Sequence, residues 1–271
     1  MGAGELVVPA ALLLVALAIT AWVFLPVFRG AEAARRHVGT HRLAIGTMIV
    51  VLLLNALLTR PIEPQLRSAL ASGFTTNTFL AAALATESSM LLVLYARLVV
   101  PGAVTWAELG LRAVPLGKLL RFGLAVGFGG FVLTVLIGTA LSQFGLRANQ
   151  VDEFRFVRRE GLGSLLLMLL SVAVLAPVVE ELFFRGFLFG LYRRRQPVWV
   201  AYLVAGLVFS LLHVQPSLMN PSQMAGLGVG VFVLGTLLAW VYQSTGSLLP
   251  GMLAHAINNA TGLVVLYFAI G

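Results

Sequence analysis

Hydrophobic residues along this chain come in long runs, broken by short segments rich in arginine, proline and glycine. The runs extend over about Glu5–Phe28, Leu43–Thr59, Phe74–Val100, Leu116–Phe144, Gly161–Leu191, Val198–Val214, Met224–Tyr242 and Leu248 to the C-terminus. A helix needs about 20 mostly apolar residues to cross a bilayer. The pattern therefore predicts an all-α, polytopic membrane helix bundle of about eight transmembrane helices. The first run exceeds the apolar core of a signal peptide, and no small-residue cleavage site follows it, so it reads as a retained helix. The breaks carry helix-stop signals: Arg60-Pro61, Pro101-Gly102 and Arg193-Arg194-Arg195-Gln196-Pro197. Pro61–Ser72 reads as a polar connection and Leu146–Glu160 as a charged, solvated loop. Gln215-Pro216-Ser217 reads as a polar turn. Thr105-Trp106-Ala107-Glu108 has the form of a capping box opening a short helix.

Composition sharpens this picture. The chain is 59% hydrophobic and only 10% charged, against about 25% charged for a soluble domain. The net charge of +8 does not argue for nucleic acid, because arginines at cytoplasmic helix ends account for it. Lysine and arginine are richer in the odd-numbered loops, which places the N-terminus outside. With no cysteine, disulfides, thiolate metal sites and a cysteine nucleophile are excluded. The glycines at 123, 127, 129 and 130, and those at 186 and 190, read as close-packing positions between helices.

The candidate chemistry sits inside the apolar runs. Glu180, Glu181 and Arg185 lie in the fifth, where ionisable groups cost several kcal/mol and mark function by default. Glu181 and Arg185 are spaced i,i+4 and share a helix face, while Glu180 points about 100° away. One carboxylate can be held by the arginine while the other faces a cavity. Taken alone, such a pair could equally lock two helices together. Further along, His213 ends the sixth run, one turn after Phe209, and His255 and Asn259 share a face of the eighth. Asn258 is an alternative amide to Asn259. Glu87 is a lone acid in the third run, read mainly as hydrogen-bonded within the bundle. His37 and His41 lie in a basic loop. Convergence of Glu180, His213, His255 and Asn259 would suit hydrolysis, with a desolvated carboxylate acting on water and neighbouring groups orienting it. The same donors could instead hold a divalent metal such as zinc, although asparagine is an uncommon zinc ligand. Straight helices put these groups at unequal depths, so convergence requires tilt or altered boundaries.

Three segments in order, Glu180-Glu181-Leu182-Phe183-Phe184-Arg185, Phe209-Ser210-Leu211-Leu212-His213 and His255-Ala256-Ile257-Asn258-Asn259, resemble the motifs of the CPBP family of intramembrane proteases. This is the CAAX-processing, bacteriocin-processing or abortive-infection group that includes Rce1-type prenyl-protein endopeptidases. Trp106–Leu111 looks like the stretch that often leads into its core. The resemblance implies a protease core over residues 105–271, with residues 1–104 as N-terminal helices outside it. It implies Glu180 as the base on water, with His213, His255 and Asn259 around that water. Glu181, Arg185 and Phe209 become supporting residues. It leaves the cofactor open: none in the preferred reading, or a zinc-like metal on Glu180, His213 and His255.

The expectation is thus an intramembrane endopeptidase in a cell membrane of prokaryotic type. It would act on a membrane-associated peptide or protein, with the lipid bilayer as its other partner. Whether the substrate is prenylated, a leader peptide or a sorting tail is open. A non-catalytic membrane scaffold or chaperone is the rival, and a proton-linked transporter using Glu87 and Glu180 is a third reading.

Overall fold

A 32-residue helical stretch, Leu162–Arg193, is the most buried of the membrane-length helices, and much of the fold is arranged about it. The computed structural model describes residues 40–146, 151–214 and 219–269. In chain order these form α1 (Thr40–Thr59), a 3-10 turn (Arg60–Ile62), α2 (Glu63–Ser72), and α3 (Thr76–Leu94) with a π-helical end (Tyr95–Val99). Next come α4 (Trp106–Leu109), α5 (Leu116–Ser142) and α6 (Val151–Glu160). The central stretch is composite: α7 (Leu162–Met168), a π-helix (Leu169–Leu175), α8 (Ala176–Glu180), a second π-helix (Glu181–Phe189) and α9 (Gly190–Arg193). Then follow α10 (Val198–His213), α11 (Pro221–Thr245) and α12 (Leu249–Ala269). No strand occurs among the described residues.

The all-α membrane bundle read from the sequence is therefore present, and the protein is an integral membrane protein. Among the described residues six helices are long and apolar enough to cross a bilayer, and α10 is a shorter apolar helix. The expected first span, Arg29, Arg35 and Arg36 of the loop after it, His37, the side chain of His41 and the turn at Gln215–Ser217 lie outside the described residues, whereas Arg42 lies in α1.

Two segments differ from expectation. Residues 61–72 are helical rather than a polar connection, because both prolines fall in first turns, where a missing N–H costs nothing. Much of the charged stretch at 146–160 is also helical. Its α6 buries Phe156 and Val157, and Glu160 accepts the Thr76 backbone N–H at 3.1 Å. The expected capping box is formed: Thr105 Oγ1 accepts from the Glu108 N–H at 3.2 Å, and Glu108 Oε2 accepts from the Thr105 N–H at 2.8 Å.

One hydrophobic core joins the two ends of the chain. Ala44 and Val51 of α1 and Met90, Val93 and Leu94 of α3 pack in the same cluster as Phe183, Phe184, Phe187, Ala205 and Phe209. On the other flank α12 packs along α5 and against the π-helix Leu169–Leu175. Small residues allow these approaches. A Cβ on Gly186 would stand 2.7 Å from the Leu109 carbonyl oxygen, so this glycine lets α4 dock on the second π-helix. Gly127 faces α12, where a Cβ would meet Ile257 at 2.7 Å and the Ala254 carbonyl at 3.0 Å, whereas nothing lies within 4 Å of Gly129. Only the first of these two is a packing glycine.

This contrast yields a paired test by thermal melting in detergent. Gly127→Ala should melt below wild type, since overpacking costs about 1–3 kcal/mol. Gly129→Ala should be neutral or stabilising by up to about 1 kcal/mol, because alanine is the better helix former. Equal melting of the two variants would mean that α5 and α12 do not meet at Gly127.

Candidate active site

The Glu181 and Arg185 side chains are 0% and 1% exposed, with Arg185 Nη1 2.8 Å from Glu181 Oε1. They lie within a π-helix, whose turn closes from the Gly190 N–H to the Arg185 carbonyl, and i,i+4 residues remain neighbours there. Arg185 Nη2 also donates to the Gly235 carbonyl at 3.1 Å, and its guanidinium lies 4.3 Å from the Phe209 ring centroid. A cation over a desolvated aromatic face is held by the ring quadrupole. The pair is thus neutral overall and tied to α10 and α11. A Cβ on Gly251 would come within 3.0 Å of Glu181 Oε2, so glycine there lets α12 close over the carboxylate.

Glu180, one position earlier, faces elsewhere. Its Oε1 is 3.9 Å from His213 Nε2 and its Oε2 is 3.7 Å from His255 Nε2. The other nitrogen of each ring is already engaged. His213 Nδ1 lies 2.8 Å from the Phe209 carbonyl oxygen, and a carbonyl can only accept, so Nδ1 carries the hydrogen. His255 Nδ1 lies 3.2 Å from Glu181 Oε1, an ionised acceptor, so the same tautomer follows. In its neutral form each ring therefore turns a bare Nε2 lone pair toward a carboxylate. The separations are too long for direct hydrogen bonds, and Glu180 Oε2 accepts none from the protein. Three acceptors converging without a donor are stabilised by a small donor placed among them, and a water molecule has the required chemistry. His255 is 2% exposed and His213 is 32% exposed, so the cluster is open on the α10 side.

Asn259 is placed differently. Its Nδ2 donates to the Val172 carbonyl at 2.9 Å, and its Oδ1 accepts from Asn258 at 3.3 Å. Val172 lies in the first π-helix, where the Ala176 N–H reaches back five residues to the Ser171 carbonyl. Continuing that register, residue 177 would serve Val172, but it is proline and has no N–H. Asn259 supplies the missing donor and ties α12 to the central helix.

The structure thus brings Glu180, His213, His255, Glu181, Arg185 and Phe209 into one cluster, with the Phe209 ring 4.4 Å from the His213 ring and 5.8 Å from the His255 ring. The groups expected at unequal depths on straight helices meet where the central helix is interrupted by π turns on both sides of α8. Glu87 had been expected to be satisfied within the bundle. Its Oε2 is buried without a hydrogen bond, and Glu180 is within electrostatic reach of it. A charge in an apolar run was the signal for Glu87, but no partner for it could be read from the sequence.

Among the described residues no group of three or more His, Asp or Glu side chains is arranged to hold a metal. Two atoms bound to one tetrahedral zinc would be about 3.3 Å apart. Here each imidazole approaches a different carboxylate oxygen, at 3.9 and 3.7 Å. These separations are wider than that, and no step below runs through a metal.

The buried pair predicts a stability cycle. Arg185→Met leaves Glu181 charged and unpaired and should cost about 3–5 kcal/mol, read as a lowered melting midpoint. The double variant Glu181→Gln with Arg185→Met should recover part of that loss. A single variant as stable as wild type would show that the pair is not desolvated.

Residues 162–261 match the family described as type II CAAX prenyl endopeptidase Rce1-like. The match spans all three motif segments and does not reach Trp106–Leu111. "Uncharacterized protein YyaK" of Bacillus subtilis (strain 168) is 35% identical over 100 residues, which are 34% of this chain and 32% of that protein. The chain therefore covers about a third of that relative's length. No solved structure matches. The likeness to the Rce1-like family thus runs through residues 162–261, which hold both carboxylates of the central helix and the two imidazoles that face them.

Proposed function

We propose that this protein is an intramembrane endopeptidase that hydrolyses a peptide bond of a membrane-associated protein or peptide, with Glu180 as the base that activates water. The observation that carries this reading is the convergence of the Glu180 carboxylate with the Nε2 atoms of His213 and His255. A water seated there donates one hydrogen to Glu180 and the other to an imidazole. As its oxygen attacks the scissile carbonyl, a proton passes to Glu180, and the same proton then goes to the leaving amine when the C–N bond breaks. The water's second proton passes to Nε2 of the imidazole that accepts it, so the acyl product leaves as a carboxylate and the ring, now a donor, can face its oxygen. Glu181 and Arg185 are supporting groups: Glu181 fixes the His255 tautomer, and Arg185 holds Glu181 charged. Phe209 gives its carbonyl to His213 and its ring to Arg185. Asn259 acts by holding α12, and so His255, in register with the central helix.

The Rce1-like match supports a CAAX-type protease, and membrane-embedded or membrane-anchored chains are the natural substrates of a site built between spans. We infer that no metal is needed, because the donor spacing does not close around one.

The test is cleavage by proteoliposomes holding the purified protein, using synthetic CAAX-box peptides with and without a prenyl group and peptides anchored by a transmembrane segment. Products are read by mass spectrometry. Glu180→Gln, His213→Ala and His255→Ala should each lower cleavage by about a hundredfold or more, while the variants insert and melt as folded proteins. Cleavage by wild type should survive 1,10-phenanthroline. Full activity in Glu180→Gln would overturn the mechanism and favour a non-catalytic scaffold. Inhibition by the chelator, reversed by added zinc, would overturn the metal-free reading.

A further inference from the structure

We propose that Glu87, on a helix outside the family-matched segment, is a positioning residue of the same cluster: a carboxyl that keeps its proton and leaves Glu180 as the one anion there. Its function rests on the protease reading, whereas its protonation does not. The first support is contact. α3 packs against α8, which carries Glu180, and against the π-helix that carries Glu181 and Arg185, and Glu180 is the charged group whose field reaches Glu87. The second is the absence of competing partners. Of the polar residues beside Glu87, Thr86 is bonded to Asn55 at 2.7 Å and Ser89 to the Ala85 carbonyl at 2.6 Å, while Glu87 Oε2 and Glu180 Oε2 are both buried without a hydrogen bond.

The third is charge balance. Around Glu87 the charged and titratable groups on the packed elements are Glu180, Glu181, Arg185, Arg42 near the start of α1 and, on the continuation of its own helix, Tyr95 and Arg97. Those at the far end, on α2 and α6, are Glu63, Arg67, Arg155, Arg158, Arg159 and Glu160. Arg185 is committed to Glu181 and Gly235. Arg97 donates to the Gly46 carbonyl and stands ten residues along the helix, about 15 Å away. The two imidazoles direct their Nδ1 atoms to the Phe209 carbonyl and to Glu181 and face Glu180, not Glu87, with Nε2. Two anions side by side without a cation, away from water, cost several kcal/mol. One proton shared out between the two carboxyls removes that cost, and a coupled pair titrates as a unit. Glu180 faces the imidazoles, so the proton belongs on Glu87, where it supplies the hydrogen-bond donor the acceptor-only cluster lacks.

Infrared spectroscopy of the full chain in membranes at neutral pH tests this directly. Wild type should show the C=O stretch of a protonated, deuterium-sensitive carboxyl, and Glu87→Gln should lose it. No such band in wild type, or a band that survives in Glu87→Gln, overturns the proposal. The kinetic arm uses the peptide assay above. Glu87→Ala should lower kcat by about ten- to a hundredfold, the worth of a hydrogen bond to a charged group, with KM little changed. Glu87→Gln, neutral and still a donor, should restore most of that loss. Glu87→Gln as impaired as Glu87→Ala, or Glu87→Ala as active as wild type, overturns it. If wild type cleaves none of the peptides, the endopeptidase reading fails while the infrared result still decides whether Glu87 holds a proton.

Discussion

Water is missing where this protein keeps its charges, and that constraint shapes the rest of the structure. A carboxylate and a guanidinium buried in a bundle must neutralise each other, and each further hydrogen-bonding position they fill lowers the cost of burying them. Glu181 and Arg185 neutralise each other at 2.8 Å, with a carbonyl of α11 and an aromatic face of α10 also on the guanidinium, while Arg185 Nε and Glu181 Oε2 stay buried without a hydrogen bond. Once this pair is seated, the central helix can no longer rotate. The neighbouring residue, Glu180, is then directed into the space between α10 and α12. The Glu181–Arg185 pair is therefore the device that aims Glu180.

The second consequence is the choice of tautomer. Each imidazole is held by a partner that can only accept, a backbone carbonyl for His213 and the arginine-bound carboxylate for His255. In a neutral ring, holding Nδ1 in this way leaves Nε2 as a lone pair, and two such lone pairs facing a carboxylate repel unless a donor intervenes. The site thus stores a demand for a proton donor. Hydrolysis begins with such a donor, water, surrounded by acceptors strong enough to take its protons. A packing role for the same residues would be served better by complementary donors and acceptors, which is why the geometry favours chemistry over scaffolding.

The membrane class, most helix positions and the Glu181–Arg185 pair were legible in the sequence because they depend on local spacing. Hydropathy alone separates lipid from water, and i,i+4 neighbours meet in almost any helix. Glu180 could be set apart from Glu181 by the angle between consecutive residues. What could not be read was the pairing of distant backbone groups. The helices at 61–72 and 151–160 looked like polar connections because their burial is supplied by neighbours far along the chain, as when Glu160 takes the Thr76 N–H. Asn259 was read as a group around the water because nothing local reveals that its amide is drawn to Val172. Glu87 looked like an ordinary bundle acid for the same reason: its lack of a partner is a property of helices that meet only in the fold.

Pro177 joins these threads. A proline inside a membrane helix removes one donor and leaves one carbonyl without its helical partner, and such defects are tolerated where a neighbouring helix restores the bond. Here the register has already slipped to π spacing ahead of the proline, which moves the orphan from Ala173 to Val172, and Asn259 fills it from α12. The same bond fixes the height of α12 against the central helix, one turn away from His255. A helix defect that would weaken an isolated span has thereby become the tie that sets His255 opposite Glu180. The stability of that tie and the alignment of the acceptor cluster are one physical quantity seen from two sides.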